Sequence, residues 1–182
     1  LQGRWLASLE ALDRAEAILR DRCPGAAWER GSARTFSTFA LWYLGDPAEL
    51  SRRVLIYLRE AEEQGDRYLA TNLRTSLANA FWLLRGDPEA AMREVEAAMG
   101  AWSRAGFHLQ HYFDVLARVH ILLYRGEGEA ALQLLAERQP ALDRSLVLRI
   151  QIVRLFVFFL RGSAALQAAR ASSASGASGP RV

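Results

Sequence analysis

The chain has 182 residues, with 23 basic against 20 acidic side chains and a formal net charge of +3. That length suits one domain or one continuous array with a sizeable core. Every basic residue is arginine, acids are interleaved among them and no run of five like charges occurs, so a nucleic-acid partner is not expected.

In chain order, helical periodicity predicts helices over residues 5–20, 36–44, 48–64, 69–85, 89–104, 107–125, 129–138 and 142–161. A short, weak helix is predicted at 164–171 and a low-complexity disordered tail at 171–182. Three turns punctuate the series: Tyr43-Leu44-Gly45-Asp46-Pro47, Leu84-Arg85-Gly86-Asp87-Pro88 and Tyr124-Arg125-Gly126-Glu127-Gly128. Their glycines are 41 and 40 residues apart, with Gly3 and Gly162 near the same phase. Glycine suits the left-handed position where a helix stops. Asp then suits the cap, and Pro the first turn, of the next helix. A turn recurring every 40 or so residues predicts stacked helix pairs.

Each pair has an apolar helix leading into the glycine and an amphipathic one leaving it. In the latter, Ala91, Val95, Ala98 and Trp102 form one stripe, and Leu50, Val54, Tyr57 and Leu58 another. The links between pairs are short, at 64–66, 105–106 and 139–140, which implies antiparallel neighbours. The predicted fold is therefore all-α, a right-handed solenoid of about four helix pairs over residues 1–170. Trp42 and Trp82 sit on the leading helices and are assigned to the core, as are the other tryptophans. The richest apolar run, 146–160, is broken by Arg149, Gln151 and Arg154, so no membrane span and no membrane partner are expected. Cys23 is the only cysteine, which suits a reducing cytoplasm. Trp5, Leu6, Leu9, Leu12 and Ile18 open the array with no helix before them. The expectation is an exposed apolar face there, self-association, and a chain that is the C-terminal part of a longer protein.

Small residues follow the glycines by five positions at Ser8, Ala91 and Ala131, while Leu50 departs from that rule. This pattern resembles tetratricopeptide-like repeats with lengthened helices. Three stretches resemble more closely the C-terminal repeat region of bacterial serine/threonine protein kinases that carry a predicted ATPase module. They are Gly65-Asp66-Arg67-Tyr68-Leu69-Ala70-Thr71-Asn72-Leu73-Arg74-Thr75, Arg85-Gly86-Asp87-Pro88-Glu89-Ala90-Ala91 and Trp102-Ser103-Arg104-Ala105-Gly106-Phe107-His108-Leu109-Gln110-His111-Tyr112. The resemblance implies a non-catalytic interaction and regulatory module. Its partner would be a protein or peptide segment, for which the kinase and ATPase part of the same chain is one candidate. Two alternatives stand beside it: the effector-sensing repeat domain of an ATPase-type transcriptional regulator, with a small effector as partner, and a free-standing scaffold.

No glycine-rich phosphate loop, His-Arg-Asp or Asp-Phe-Gly occurs, and without lysine no Walker motif is possible. Catalysis and cofactors are accordingly not expected of this chain. His108, His111 and Asp114 lie at three-residue steps, but no cysteine or suitably placed third histidine completes a metal set, so they are assigned to a helix start, with His111 in a groove or interface. Two polar rows mark the leading helices. Arg34, Arg74, Asp114 and Gln151 stand 11 or 12 residues before their glycines, and Thr38, Asn79, Arg118 and Arg154 stand 7 or 8 before. The rows are about one helical turn apart and would align in stacked repeats. Two readings stay open. Either Arg34, Thr38, Arg74, Asn79, His111, Asp114, Arg118 and Arg154 line a partner-binding groove, or the rows form an internal network of ion pairs and hydrogen bonds.

Overall fold

A computed structural model describes residues 2–176, with side chains through residue 173. About 83 % of the chain is helical, and the described residues include no strand. They fall into two compact units divided between Ser103 and Arg104.

The first unit holds six helices: α1 (Trp5–Arg22), α2 (Ala27–Leu44), α3 (Pro47–Glu63), α4 (Arg67–Thr75), α5 (Ala80–Leu84) and α6 (Pro88–Gly100). Sequence neighbours pack side by side, α1 on α2, α3 on α4 and α5 on α6, and α2 and α6 each flank α4. Leu41, Leu50, Val54, Leu69, Leu73 and Phe81 form the centre of the core. Trp42 and Trp82 pack against its rim. The second unit holds α7 (Leu109–Tyr124), α8 (Gly128–Arg144) and α9 (Gln151–Gly176). There α8 packs on both α7 and α9.

Local chemistry explains the boundaries. At Gly45 the backbone turns left-handed, with φ 68°, and the Asp46 amide reaches back to the Leu41 carbonyl at 3.2 Å. The same closure joins Asp66 to Ala61, Asp87 to Trp82 and Glu127 to Leu122. Asp46, Asp66 and Asp87 then cap the next helix by accepting the amides of Glu49, Leu69 and Ala90. Pro47 and Pro88 occupy the first turns of α3 and α6.

Several expectations need correction. The helix expected over 69–85 is broken: α4 stops at Thr75, a 3-10 turn spans Leu77–Asn79, and α5 follows. Ser76 adopts an extended backbone and its hydroxyl accepts the Ala78 amide. The Asn79 side chain holds the break by donating to the carbonyls of Arg74 at 2.8 Å and Ala91 at 3.0 Å. Gln139-Pro140 is no link, because α8 runs through it to Arg144. The helix survives there because Leu142 is fully buried and Arg161 of α9 donates to the Gln139 side chain. Gly162 is no turn either; it lies inside α9, since neither an acid nor a proline follows it to start a new helix. Helix α9 runs on to Gly176, through the first residues expected in the tail; the rest of that expectation falls on residues 177–182, which lie outside the described residues.

Helix α9 bears on the membrane expectation. Over Gln151–Ser173 it is long and apolar enough to cross a membrane by length and composition. Arg149 precedes α9 and Arg154 lies in its first turn, while Arg161 and Arg170 lie further along it. Among the tryptophans, Trp28 departs from its core assignment at 61 % exposed. Trp5 stacks on Tyr43 at 4.0 Å, which ties the start of α1 to the end of α2. In α1 itself Leu6 and Ile18 are more than half exposed.

Candidate functional site

Arg34 is the centre of a charged recess in the first unit. The side chain is 5 % exposed. It projects from α2 between two acids, donating to Glu16 Oε1 of α1 at 3.0 Å and pairing with Glu60 Oε2 of α3 at 2.7 Å. Its guanidinium lies 4.6 Å from the centre of the Tyr57 ring, a cation–π contact. Nη1 is buried and has no hydrogen-bond partner.

Around this residue α1, α2 and α3 form an open recess of about 280 Å³, lined by Asp13, Glu16, Arg20, Arg34, Arg52, Arg53, Ile56, Tyr57 and Glu60. Arg53 spans the recess wall. It donates to both carboxylate oxygens of Asp13, at 2.5 and 2.9 Å, and to Glu49 at 2.7 Å. The Asp13 hydrogen bond is the main reason its guanidinium is held even more firmly protonated than usual. Glu49 sits between Arg52 and Arg53, and their hydrogen bonds, that from Arg52 foremost, pull its carboxyl down to about 2. Arg20 and Arg52 stand at the mouth, 51 % and 59 % exposed.

The other residues of the polar rows are placed differently. Thr38 is fully buried and donates to the Thr35 carbonyl, so it is a helix-internal hydroxyl and no groove residue. Asn79 is 2 % exposed and serves as the staple of the α4–α5 break. Arg74 is 24 % exposed and is held by Glu62 and by Glu94 of α6, at 2.7 Å to the latter. In the second unit Arg118 donates to Asp114 at 2.6 Å, one turn back on α7. His111 caps α7: its Nδ1 accepts the His108 amide at 2.9 Å. Arg154 is exposed on α9. Arg34, Arg74, Asp114 and Arg118 thus engage in ion pairs, Thr38, Asn79 and His111 make local hydrogen bonds, and Gln151 and Arg154 are exposed; of the expected groove residues only Arg34 lines the charged recess. Among the described residues no group of three metal-ligating side chains converges.

Sequence reasoning missed Asp13, Glu16, Arg53, Tyr57 and Glu60. They come from the amphipathic helices, where single charges look like solvated surface, and only the helix packing brings them to Arg34.

Comparison with known proteins finds no matching family model, no matching curated relative and no matching solved structure.

One titration outside the recess carries a prediction. Burial pushes the His120 imidazole down from 6.5 to about 4, against a smaller opposing effect of the hydrogen bond to the Leu116 backbone. The folded state therefore holds His120 neutral where the unfolded chain would protonate it. Stability is complete above the unfolded value and falls as pH drops from about 6.5 toward 4. Urea melts between about pH 7 and pH 5 should lose up to about 2 kcal/mol, and His120→Leu should flatten that slope. An equal loss in the variant would show that other groups carry it.

Proposed function

We propose that this chain is a non-catalytic interaction and regulatory module built of tetratricopeptide-like helical repeats, and that the charged recess on α1–α3 is its partner site. The repeat reading is supported by the recurring turn chemistry. At Gly45 and Gly86 the same left-handed glycine, backbone closure, Asp cap and Pro return at matching phase, and the turn at Gly126 repeats the glycine and the closure. A cytoplasmic regulatory role as the C-terminal part of a serine/threonine kinase fused to an ATPase rests on the resemblance of 65–75, 85–91 and 102–112 to that group.

The observation that carries the site is Arg34. A nearly buried guanidinium with one unpaired nitrogen leaves a hydrogen bond unmade, which costs about 1–3 kcal/mol. Nη1 has no exposed surface, so a carboxylate or backbone carbonyl supplies the missing acceptor only by displacing one of the acids paired with Arg34. Arg20 and Arg52 at the mouth add charge for steering an acidic segment. The size of the recess also favours a second reading, a small zwitterionic effector, since about 280 Å³ is near the lower end of small-molecule sites.

The test uses the exposed mouth. Arg20→Gln/Arg52→Gln should shift stability by no more than about 1 kcal/mol, because both side chains are exposed although they give up their pairs with Glu16, Asp21 and Glu49. The same variant should weaken binding to the kinase–ATPase part, measured by titration calorimetry, by about tenfold or more. Binding unchanged in this variant removes the recess as the site. Stabilisation of the wild-type chain by free dipeptides or amino acids in a thermal-shift screen, with no binding to the kinase–ATPase part, favours the effector reading.

A further inference from the structure

Helix α9 carries two apolar stripes on opposite faces. Val153, Val157, Leu160 and Ala164 recur at three- and four-residue steps and are buried within the second unit. Leu155, Phe158, Phe159 and Leu166 recur on the other side at 52–62 % exposure. Gly162 lies among them, and a side chain there would meet nothing within 4 Å. Only 22 % of its most apolar 18-residue window within Gln151–Ser173 is buried, so α9 is not a core helix wrapped by protein. Two adjacent exposed phenylalanines beside two leucines exceed the scattered apolar residues of an ordinary surface.

Charge indicates what covers this face. Residues 1–103 carry 13 arginines against 15 acids, whereas residues 104–182 carry 10 arginines against 5 acids. From residue 144 onward there are six arginines and no acid. By helical phase Arg154 and Arg161 flank the exposed stripe on one side and Arg170 on the other. Two copies of α9 meeting face to face would bring these like charges together with no acid in the segment to offset them. An anionic surface pairs with Arg154 and Arg170, while Arg161 stays on Gln139.

We infer that α9 is a membrane-surface helix: its exposed Leu155–Leu166 stripe docks into the headgroup boundary of an anionic lipid bilayer while its opposite stripe stays packed on α8. The stripe runs along a single helix. A lipid boundary accepts such a face without a matching groove. Phe158 and Phe159 enter the boundary, and Arg154 and Arg170 extend toward lipid phosphates with their methylene stems along the apolar layer. The proposal replaces the expectation of no membrane partner and is independent of the recess on α1–α3.

The experiment is flotation of the whole 182-residue chain with vesicles of phosphatidylcholine alone or with phosphatidylglycerol. Binding to the anionic vesicles should be at least about tenfold stronger and should fall as salt is raised. Phe158→Ser/Phe159→Ser should reduce that binding by about tenfold or more while leaving the circular dichroism spectrum and the melt unchanged, because both rings are exposed. Equal binding to neutral vesicles, absence of binding to anionic ones, or an unaffected double variant would overturn the proposal. So would vesicle association that resists salt and alkaline extraction, which means a spanning helix. Concentration-dependent dimerisation that the double variant abolishes, without vesicle binding, would assign the face to a second copy instead.

Discussion

Gly128→Ala should lower the melting temperature by roughly 10 °C, the largest shift expected of a single methyl group in this chain. Gly128 opens α8 where it crosses α9. A Cβ there would sit 2.6 Å from the Ala168 amide nitrogen and 2.8 Å from the Ala164 carbonyl oxygen. Both are backbone atoms of a helix, so no side chain can rotate away. The helices must separate, which uncovers Ala131, Leu135 and Leu160 along the same seam. Overpacking of this kind costs about 3 kcal/mol. Gly100→Ala is the control, since its added methyl meets nothing. A Gly128→Ala melt that matches the control would mean that α8 and α9 are not held at this spacing.

Arg34→Met should be nearly as costly, at about 3 kcal/mol. Methionine keeps much of the stem but removes the charge shared by Glu16 and Glu60. Glu16, 15 % exposed, is the more expensive of the two to leave unpaired, whereas Glu60 is 37 % exposed and recovers part of its hydration. Adding Glu16→Gln to Arg34→Met should therefore restore roughly 1 kcal/mol, a coupling that urea denaturation of the four members of the cycle measures directly. If Arg34→Met alone costs less than about 0.5 kcal/mol, the pairs at Arg34 are no more than surface ion pairs.

The helix ends were legible wherever two signals coincided. Gly45-Asp46-Pro47 and Gly86-Asp87-Pro88 combine a residue that tolerates positive φ with a side-chain cap and a preset first turn, all within three positions. Single signals misled. Gly162 alone was no stop, and Pro140 alone was no link, because tertiary contacts on α8 and α9 outweigh one residue's preference. The break at Ser76 was hidden for the same reason. Leucine and alanine continue at helical spacing through it, and the deciding contact runs from Asn79 to Ala91 on another helix. The site was half legible. The phase relative to the glycines singled out Arg34, yet its acids lie 18 and 26 positions away on other helices, and spacing along one chain segment cannot reveal such pairs. The outer stripe of α9 was obscured because its inner stripe made the run look like ordinary core.

The glycine closures at Leu41–Asp46, Ala61–Asp66, Trp82–Asp87 and Leu122–Glu127 bear on how the chain acquires its structure. Each spans only six residues and needs no partner from elsewhere. Each also turns the chain so that two adjacent helices can meet, which makes much of the packing local in sequence. Little loop-closure entropy stands in the way of such contacts, so folding belongs at the fast end of the range, with milliseconds or less as the natural scale. A helix pair emerging during synthesis can collapse on itself before the next is made, without waiting for the rest of the protein.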